Sequence, residues 1–500
     1  MVFSTIIFLL RFLPITLALY YLAPPKLKNT VLFLCSLVFY CWGEVRFFPV
    51  MLALILINYL CGLGLERFEQ NKTARLILLL IALAGSLGML FYFKYANFVL
   101  SSINAIFGTG FAPIQGISVL PLGISFYTFQ TLSYTIDVYR RDVETEHNII
   151  DFGAYVVMFP QLIAGPIVKY RDVSDRLHVY KGRCELKQIE DGMTLFTFGL
   201  AKKVLLADAI GALWTDIIGV ADSPSVSFVG LANASTPLVW LGVIAYSLQL
   251  YFDFSGYTDM ALGLGLMLGL RLPENFNSPY KSTGIVDFWR RWHITLSAWL
   301  RDFLYIPLGG NRAGRLKQYR NLFLTMLIGG AWHGAGWTFM IWGALHGLML
   351  SVNHFFRAQI KGSRPEAILA SAPLRLLSIA FTFLCINFCW VVFRALSLDG
   401  ALRVYTAMFT GPFSLQPGPT GGLLPNHYFQ GWQPFALLIL CAVLVWAFPN
   451  SREILQGRRD GSRPWLAWRP SRLWASGLAL LAFAALILVS RQSTFLYFQF

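Results

Sequence analysis

An all-α, polytopic membrane bundle of about eleven transmembrane segments, with further interfacial or re-entrant helices, is the fold class predicted by this 500-residue sequence. Three observations predict it. Charged residues make up 13% of the chain and hydrophobic ones 56%, whereas a soluble domain carries about 25% charge. Such a chain cannot cover a water-facing surface, and its mean hydropathy is +0.58. Residues 47–65, 76–93, 376–393 and 473–490 each run 18 or 19 positions without a charge, close to the roughly 20 that cross a hydrocarbon core about 30 Å thick. These runs do not alternate in hydrophobicity or end near ten residues as barrel strands do. Backbone amides in lipid must bond within their own segment, so the runs are helices.

Taken in order, the expected segments are 3–22, 30–42, 47–65, 76–98, 118–138, 152–168, 193–218, 237–270 (read as two, one of them broken), 321–350, 376–393, 434–448 and 473–490. The first begins without a basic flank and contains Arg11, which reads as a retained helix rather than a secretion signal. Residues 160–166, Pro-Gln-Leu-Ile-Ala-Gly-Pro, combine two prolines with Gly165. A broken helix of that kind is tolerated only where it is buried or lines a cavity. Residues 285–308 mix Trp289, Trp292, Trp299 and Tyr305 with Asp287, Arg290, Arg291, His293 and Arg301, a composition suited to the membrane–water boundary or a wet cavity. No linker or repeat divides the chain, so residues 1–500 read as one domain with a motif-bearing core at roughly 118–350.

The formal charge of +15 sits in short loops between apolar runs, where it sets orientation by staying cytoplasmic and meets lipid headgroups. Nucleic acid is not an expected partner. Residues 404–433 carry no charge, and 451–472 hold six arginines against Glu453 and Asp460, placing the first outside and the second inside. The seven cysteines show no paired metal spacing, and most lie in apolar helix, where cysteine packs as a small hydrophobe. No metal site and no bound cofactor are expected.

No serine-hydrolase elbow, zinc-protease motif, phosphate loop or dinucleotide fingerprint occurs. Of seven histidines, His333 and His346 lie at membrane depth, where an ionisable group is costly and points to function. Glycines 329, 330, 334 and 336 around His333 permit close approach of backbone or substrate. An imidazole there can take a proton from an attacking hydroxyl, although a core histidine bonding across helices fits the segment equally well. In Tyr251-Phe-Asp-Phe-Ser-Gly-Tyr-Thr-Asp259, Asp253, Ser255 and Asp259 form an inward polar face suited to substrate binding or to bonds between helices.

The block Asp287-Phe-Trp-Arg-Arg-Trp-His-Ile-Thr-Leu-Ser-Ala-Trp-Leu-Arg-Asp-Phe-Leu-Tyr-Ile-Pro-Leu-Gly-Gly-Asn-Arg312, followed 40 residues after His293 by Trp332-His333-Gly334, resembles the membrane-bound O-acyltransferases, most closely the bacterial alginate O-acetylation branch. Residues 121–127, 160–166, 251–259 and 495–500 are similar to that branch too. The resemblance implies a helical bundle with a central funnel and an essential histidine at His333. A second marked polar position falls at His293. Asp253, Asp259, Arg290, Arg291 and Asn311 are further candidates for binding substrate. It also implies acetyl transfer from a cytoplasmic donor, acetyl-CoA, across the bacterial inner membrane to a polysaccharide such as alginate. A periplasmic acetyltransferase partner and a polysaccharide-synthesis complex are implied with it. Gln161 stands where a histidine is expected in the alginate-type branch, which leaves acetylated cellulose, another exopolysaccharide or peptidoglycan open. D-alanyl transfer to teichoic acid, a transporter or flippase, and a structural scaffold are the alternatives.

Overall fold

The computed structural model describes residues 2–117, 119–180, 184–219, 231, 234–312, 314–369, 371–413, 433–457, 461–489 and 496, and among these all regular structure is helical. The chain divides into two compact units, residues 1–197 with 257–274 and residues 198–256 with 275–500. Each is described by itself.

The first unit holds α1 (Phe8–Leu22), α2 (Lys28–Gly43), α3 (Phe48–Arg67), α4 (Lys72–Phe107), α5 (Ile124–Arg140) and α6 (Ile149–Val157). Helices α3, α4 and α5 pack on one another, and a polar knot joins them in otherwise apolar surroundings. Asn58 Nδ2 donates to Ser86 Oγ at 2.9 Å, and Thr135 Oγ1 donates to Asn58 Oδ1 at 2.8 Å. Such bonds between membrane helices contribute about 0.6 kcal/mol each on average. Arg75, buried despite its charge, donates to the carbonyls of Leu65 and Tyr139 at 2.7 Å each, capping the ends of α3 and α5. The expected break at 160–166 is present: α6 stops at Val157, and residues 159–164 form buried turns. Gln161 lies there fully buried, its Nε2 donating to the Tyr155 carbonyl at 2.5 Å.

Helix α7 (Leu186–Ala201) and the 32-residue α9 (Thr236–Met267) each contain a boundary between the units, and α8 (Asp208–Ile217) lies between them in sequence. The segment 237–270, read as two pieces from sequence, is one helix over Thr236–Met267. Its glycines serve packing rather than breakage. A Cβ on Gly263 would lie 2.5 Å from the Gly192 carbonyl, and one on Gly256 would lie 2.8 Å from that of Gly199.

The second unit continues with α10 (Ile285–Trp289), α11 (Ile294–Leu300), α12 (Arg315–His333), α13 (Trp337–Ile360), α14 (Ala372–Arg394), α15 (Leu398–Thr410), α16 (Gln433–Trp446) and α17 (Arg472–Leu488). The expected single segment 321–350 is two helices, α12 and α13, joined by residues 334–336 and packed along each other. Their crossing is close because it is lined with glycine. A Cβ on Gly330 would fall 2.3 Å from the Phe339 carbonyl, and one on Gly343 would fall 2.4 Å from that of Met326. Small residues at such crossings let backbones approach in place of the hydrophobic drive that lipid removes.

By length and composition, α3, α4, α9, α13 and α14 can cross a membrane, while α1, α17 and the apolar part of α16 are shorter. The chain is a helical, multi-pass membrane protein. The sequence-based count of about eleven spans also includes shorter helices such as α2, α5 and α6.

Candidate functional site

His333 is the last residue of α12, and the chain leaves it through Gly334 in an extended conformation. A Cβ on Gly334 would lie 2.2 Å from the Phe339 ring, so any larger residue here must displace that ring from the tight passage into α13. The turn sets the imidazole, 6% exposed, in an aromatic enclosure. Its ring centroid is 5.0 Å from that of Trp342, 5.1 Å from Trp332 and 5.3 Å from Phe393, each in edge-on geometry.

His293 reaches the same place from another part of the chain. It sits between α10 and α11 with φ 44° and ψ 54°, a left-handed conformation uncommon outside glycine, though less so for histidine than for most residues. Backbone bonds on both sides hold it there, Ile294 N–H to the Asn275 carbonyl at 3.0 Å and Asn277 N–H to the Arg291 carbonyl at 2.9 Å. Strain of this kind persists only where the surroundings over-determine it, and it gathers at functional sites. The ring centroids of His293 and His333 are 6.3 Å apart, and Phe254 packs edge-on against His293 at 4.9 Å.

The Asn275 side chain sets the His293 tautomer. Asn275 Oδ1 accepts from Thr295 N–H at 3.2 Å and from Thr295 Oγ1 at 2.9 Å, which identifies that atom as the oxygen. His293 Nδ1, 3.1 Å away, must therefore be the protonated nitrogen. Nε2 is left with its lone pair, the form a base requires. Burial pushes the His293 imidazole down to about 3, so it stays neutral.

Replacing Asn275 with alanine removes the acceptor from the buried Nδ1–H and from Thr295, at a cost of about 1–3 kcal/mol. Turnover at this site is expected to fall about ten-fold or more in maximal rate, with little change in the half-saturating substrate concentration. Asn275→Asp, which keeps an acceptor oxygen, is expected to lose less. Equal losses in the two variants at equal protein level would show that Asn275 does not act through His293.

His346 stands behind the pair. It is fully buried, and its Nδ1 accepts from Trp289 Nε1 at 3.1 Å, so its proton is on Nε2. Trp342 lies between the two histidines of this helix pair, 4.6 Å from His346 and 5.0 Å from His333, and stacks on Trp390 at 5.9 Å. Trp390 in turn packs on Trp292 at 5.1 Å. The result is an indole wall around imidazoles brought together from separate segments.

The other expected residues have surroundings of their own. Asp253 is buried against Lys203 at 2.7 Å, and that ammonium also pairs with Asp208 at 2.6 Å. Its second oxygen accepts from Leu496 N–H at 3.0 Å. The carboxylate is thus taken up by a buried ion-pair network. Asp259 belongs to the first unit and is nearly buried. Arg291 pairs with Asp287 at 2.9 Å and donates to the Asn277 carbonyl at 3.3 Å, bracing the turn that carries His293. Arg290 and Asn311 are exposed. Sequence reasoning missed Asn275, Trp342 and Phe393. The only hint of Asn275 was its place in a short polar run before the signature block.

Among the described residues, one group brings metal-ligating atoms together. Ligand atoms of Glu146, Asp151 and His178 lie within 4.8 Å of one another in the first unit. Protein partners already account for it: His178 Nε2 is 2.7 Å from Glu146 Oε2, Tyr170 Oη donates to that oxygen at 2.5 Å, and Asn29 donates to Asp151 at 2.9 Å.

Comparison with known proteins concerns the chain as a whole. The model of the membrane-bound O-acyltransferase family matches residues 90–392. The chain is 44% identical over 519 residues to the probable alginate O-acetylase AlgI of Pseudomonas putida, with all of both chains covered. It is 36% identical over 544 residues to the peptidoglycan O-acetyltransferase of Helicobacter pylori, covering 100% of this chain and 98% of that one. To the teichoic acid D-alanyltransferase of Streptococcus thermophilus it is 28% identical over 294 residues, 56% of this chain and 69% of the other.

Proposed function

This chain belongs to the membrane-bound O-acyltransferase family, and from that premise we propose that it serves the O-acetylation of a polysaccharide outside the bacterial inner membrane. The donor is acetyl-CoA on the cytoplasmic side, and the chain passes the acetyl group through a polar passage between opposed funnels. A periplasmic acetyltransferase within a polysaccharide-synthesis complex places it on the polymer. The full-length relatives named for acetyl transfer favour this over D-alanyl transfer, where the likeness covers about half the chain. The polymer is alginate, another exopolysaccharide or peptidoglycan.

One observation carries the reading: two histidines 40 positions apart meet with rings 6.3 Å apart in a buried aromatic enclosure. His333 acts as general base or as transient acyl carrier. As a base it takes the proton of the accepting hydroxyl while that oxygen attacks the thioester carbonyl. The carbon–sulfur bond then breaks, and the coenzyme A thiolate leaves to be reprotonated. His293 orients one of the reactants with its Nε2 lone pair. An acetyl group is small and neutral enough for a narrow passage, whereas coenzyme A and a polymer are not.

Deleting the gene and measuring ester-linked acetyl on the secreted and wall polysaccharides tests the proposal. Acetyl is expected to disappear from one polymer and return on complementation. Vesicles from the complemented strain, given labelled acetyl-CoA on the cytoplasmic face, are expected to carry label to the opposite side. Unchanged acetyl on every polymer, or label that needs a different donor, would overturn it.

A further inference from the structure

The indole N–H groups packed into the second unit are not all placed alike. Trp240 Nε1 donates to the Met408 carbonyl at 2.9 Å and Trp289 Nε1 to His346 Nδ1 at 3.1 Å. Trp390 Nε1 donates to Tyr280 Oη at 3.2 Å and Trp446 Nε1 to the Tyr280 carbonyl at 2.9 Å. Trp342 differs. It is 1% exposed, and its buried Nε1–H has no acceptor among the described residues. A buried donor left unpaired bears the desolvation penalty of a lost hydrogen bond, and each such group in a folded protein needs a reason. A wall that only excluded water would lose nothing by carrying phenylalanine at this position, as it does at Phe393.

The location of this donor supplies the reason. Trp390 stacks on the indole with an interplanar angle of 19°, so one face of the ring is taken and the N–H, at its edge, points elsewhere. The ring centroid is 5.0 Å from that of His333. An oxygen on a carbon presented to that imidazole comes within reach of a hydrogen bond about 2.9 Å long. His346 Nε2–H is a second buried donor without an acceptor among the described residues, but Trp342 stands between it and His333. The transfer creates one oxygen that calls for such a donor. When a hydroxyl adds to the thioester carbonyl, a carbon–oxygen bond forms, the hydroxyl proton passes to His333, and the carbonyl π pair moves onto oxygen. The pair returns when the carbon–sulfur bond breaks and the thiolate leaves. Attack by the His333 nitrogen in place of the hydroxyl generates the same oxyanion.

We propose, resting on the acyl transfer proposed above, that Trp342 Nε1–H donates to this carbonyl oxygen and is a catalytic residue of the site. The bond strengthens as charge develops on the oxygen, so it stabilises the transition state more than the bound donor. Its setting among aromatic rings favours the effect, because a donor fixed in place before the reaction needs no reorganisation during it.

The test uses vesicles carrying the full chain, with labelled acetyl-CoA as donor, and follows both label delivered to the opposite side and label released as acetate. Trp342→benzothienylalanine, introduced by codon reassignment, keeps the bicyclic ring and exchanges the N–H for sulfur. Trp342→Phe removes the N–H along with part of the ring. Both are expected to lower the maximal rate about 100-fold, the scale of one oxyanion donor, with the half-saturating donor concentration within about three-fold of the parent. Acetate release is expected to fall in step with delivery, whereas a wall merely thinned would raise it relative to delivery. Each variant is compared at the parental membrane level and elution profile. A parental maximal rate in the benzothienylalanine variant would overturn the proposal even if Trp342→Phe were slow, because shape alone would then explain the loss. A loss carried wholly by the half-saturating concentration would overturn it as well. Failure of the underlying reading looks different: the parent itself would then deliver no label from acetyl-CoA.

Discussion

Replacing His333 with alanine is expected to lower ester-linked acetyl on the modified polysaccharide at least about 100-fold, the scale on which a positioned acid–base group acts. The fold should tolerate the change. His333 is the last residue of α12, and the crossing of α12 and α13 rests on Gly330, Gly343 and Gly347 rather than on the imidazole. The enclosure formed by Trp332, Trp342 and Phe393 would then surround a small cavity, whose cost should leave the protein in the membrane. Labelled donor sharpens the result. If His333 carries the acetyl group, label trapped on the protein vanishes in His333→Ala. If it serves as base only, parent and variant alike trap none. Normal acetylation in a variant that reaches the membrane at the parental level would remove His333 from the chemistry.

Leucine at position 330 is expected to act through the scaffold instead. A Cβ there falls 2.3 Å from the Phe339 carbonyl and 2.8 Å from the Gly343 Cα, and side chains do not exist at such separations. Both obstructing atoms are backbone, so no rotamer change relieves the clash and the helices must move apart. Overpacking commonly costs about 1–3 kcal/mol and sometimes more, and a whole leucine at a backbone contact belongs at the upper end. Most of the folded protein should be lost, as read by detergent elution profile. Gly330→Ala is the informative companion. Its single carbon should leave folded protein while displacing His333, one turn away. A shift of about 1 Å at a reacting group costs about 100-fold in rate. Parental yield and parental activity in Gly330→Leu would show that the crossing is looser than the structure has it.

Both histidines of the site were visible in the sequence, for different reasons. His333 stood out because an ionisable side chain at membrane depth is expensive, and His293 because it lies inside the signature block. The glycines around His333 were legible as a close approach, and the structure adds that the backbone of α13 approaches Gly330 while the Phe339 side chain approaches Gly334. Residues 334–336 were not legible as a helix break, because three small residues barely lower the hydropathy of a window. Segment 237–270 differed in the opposite sense: it forms one helix, and its Gly256 and Gly263 admit neighbouring backbone instead of breaking it. Asp253 was correctly read as an inward carboxylate, but its partner Lys203 lies 50 positions earlier, and no periodicity pairs residues at that distance. Asn275 carried no pattern at all. Its importance comes from one oxygen facing Thr295 and His293, which is a property of the folded chain alone.

The indole wall has a consequence for fidelity. An activated acetyl group will react with any hydroxyl that reaches it, and water is the most abundant competitor in the cell. A catalyst that moves acetyl groups must therefore discriminate among acceptors mainly by refusing one. Trp342 and Trp390 stacked at 5.9 Å, with Trp292 packed on Trp390, present an apolar face to the histidines. Exclusion of this sort suppresses hydrolytic side reactions. Under the transfer proposed above, thinning the wall is therefore expected to divert turnover into hydrolysis of the acyl donor, with both histidines unchanged.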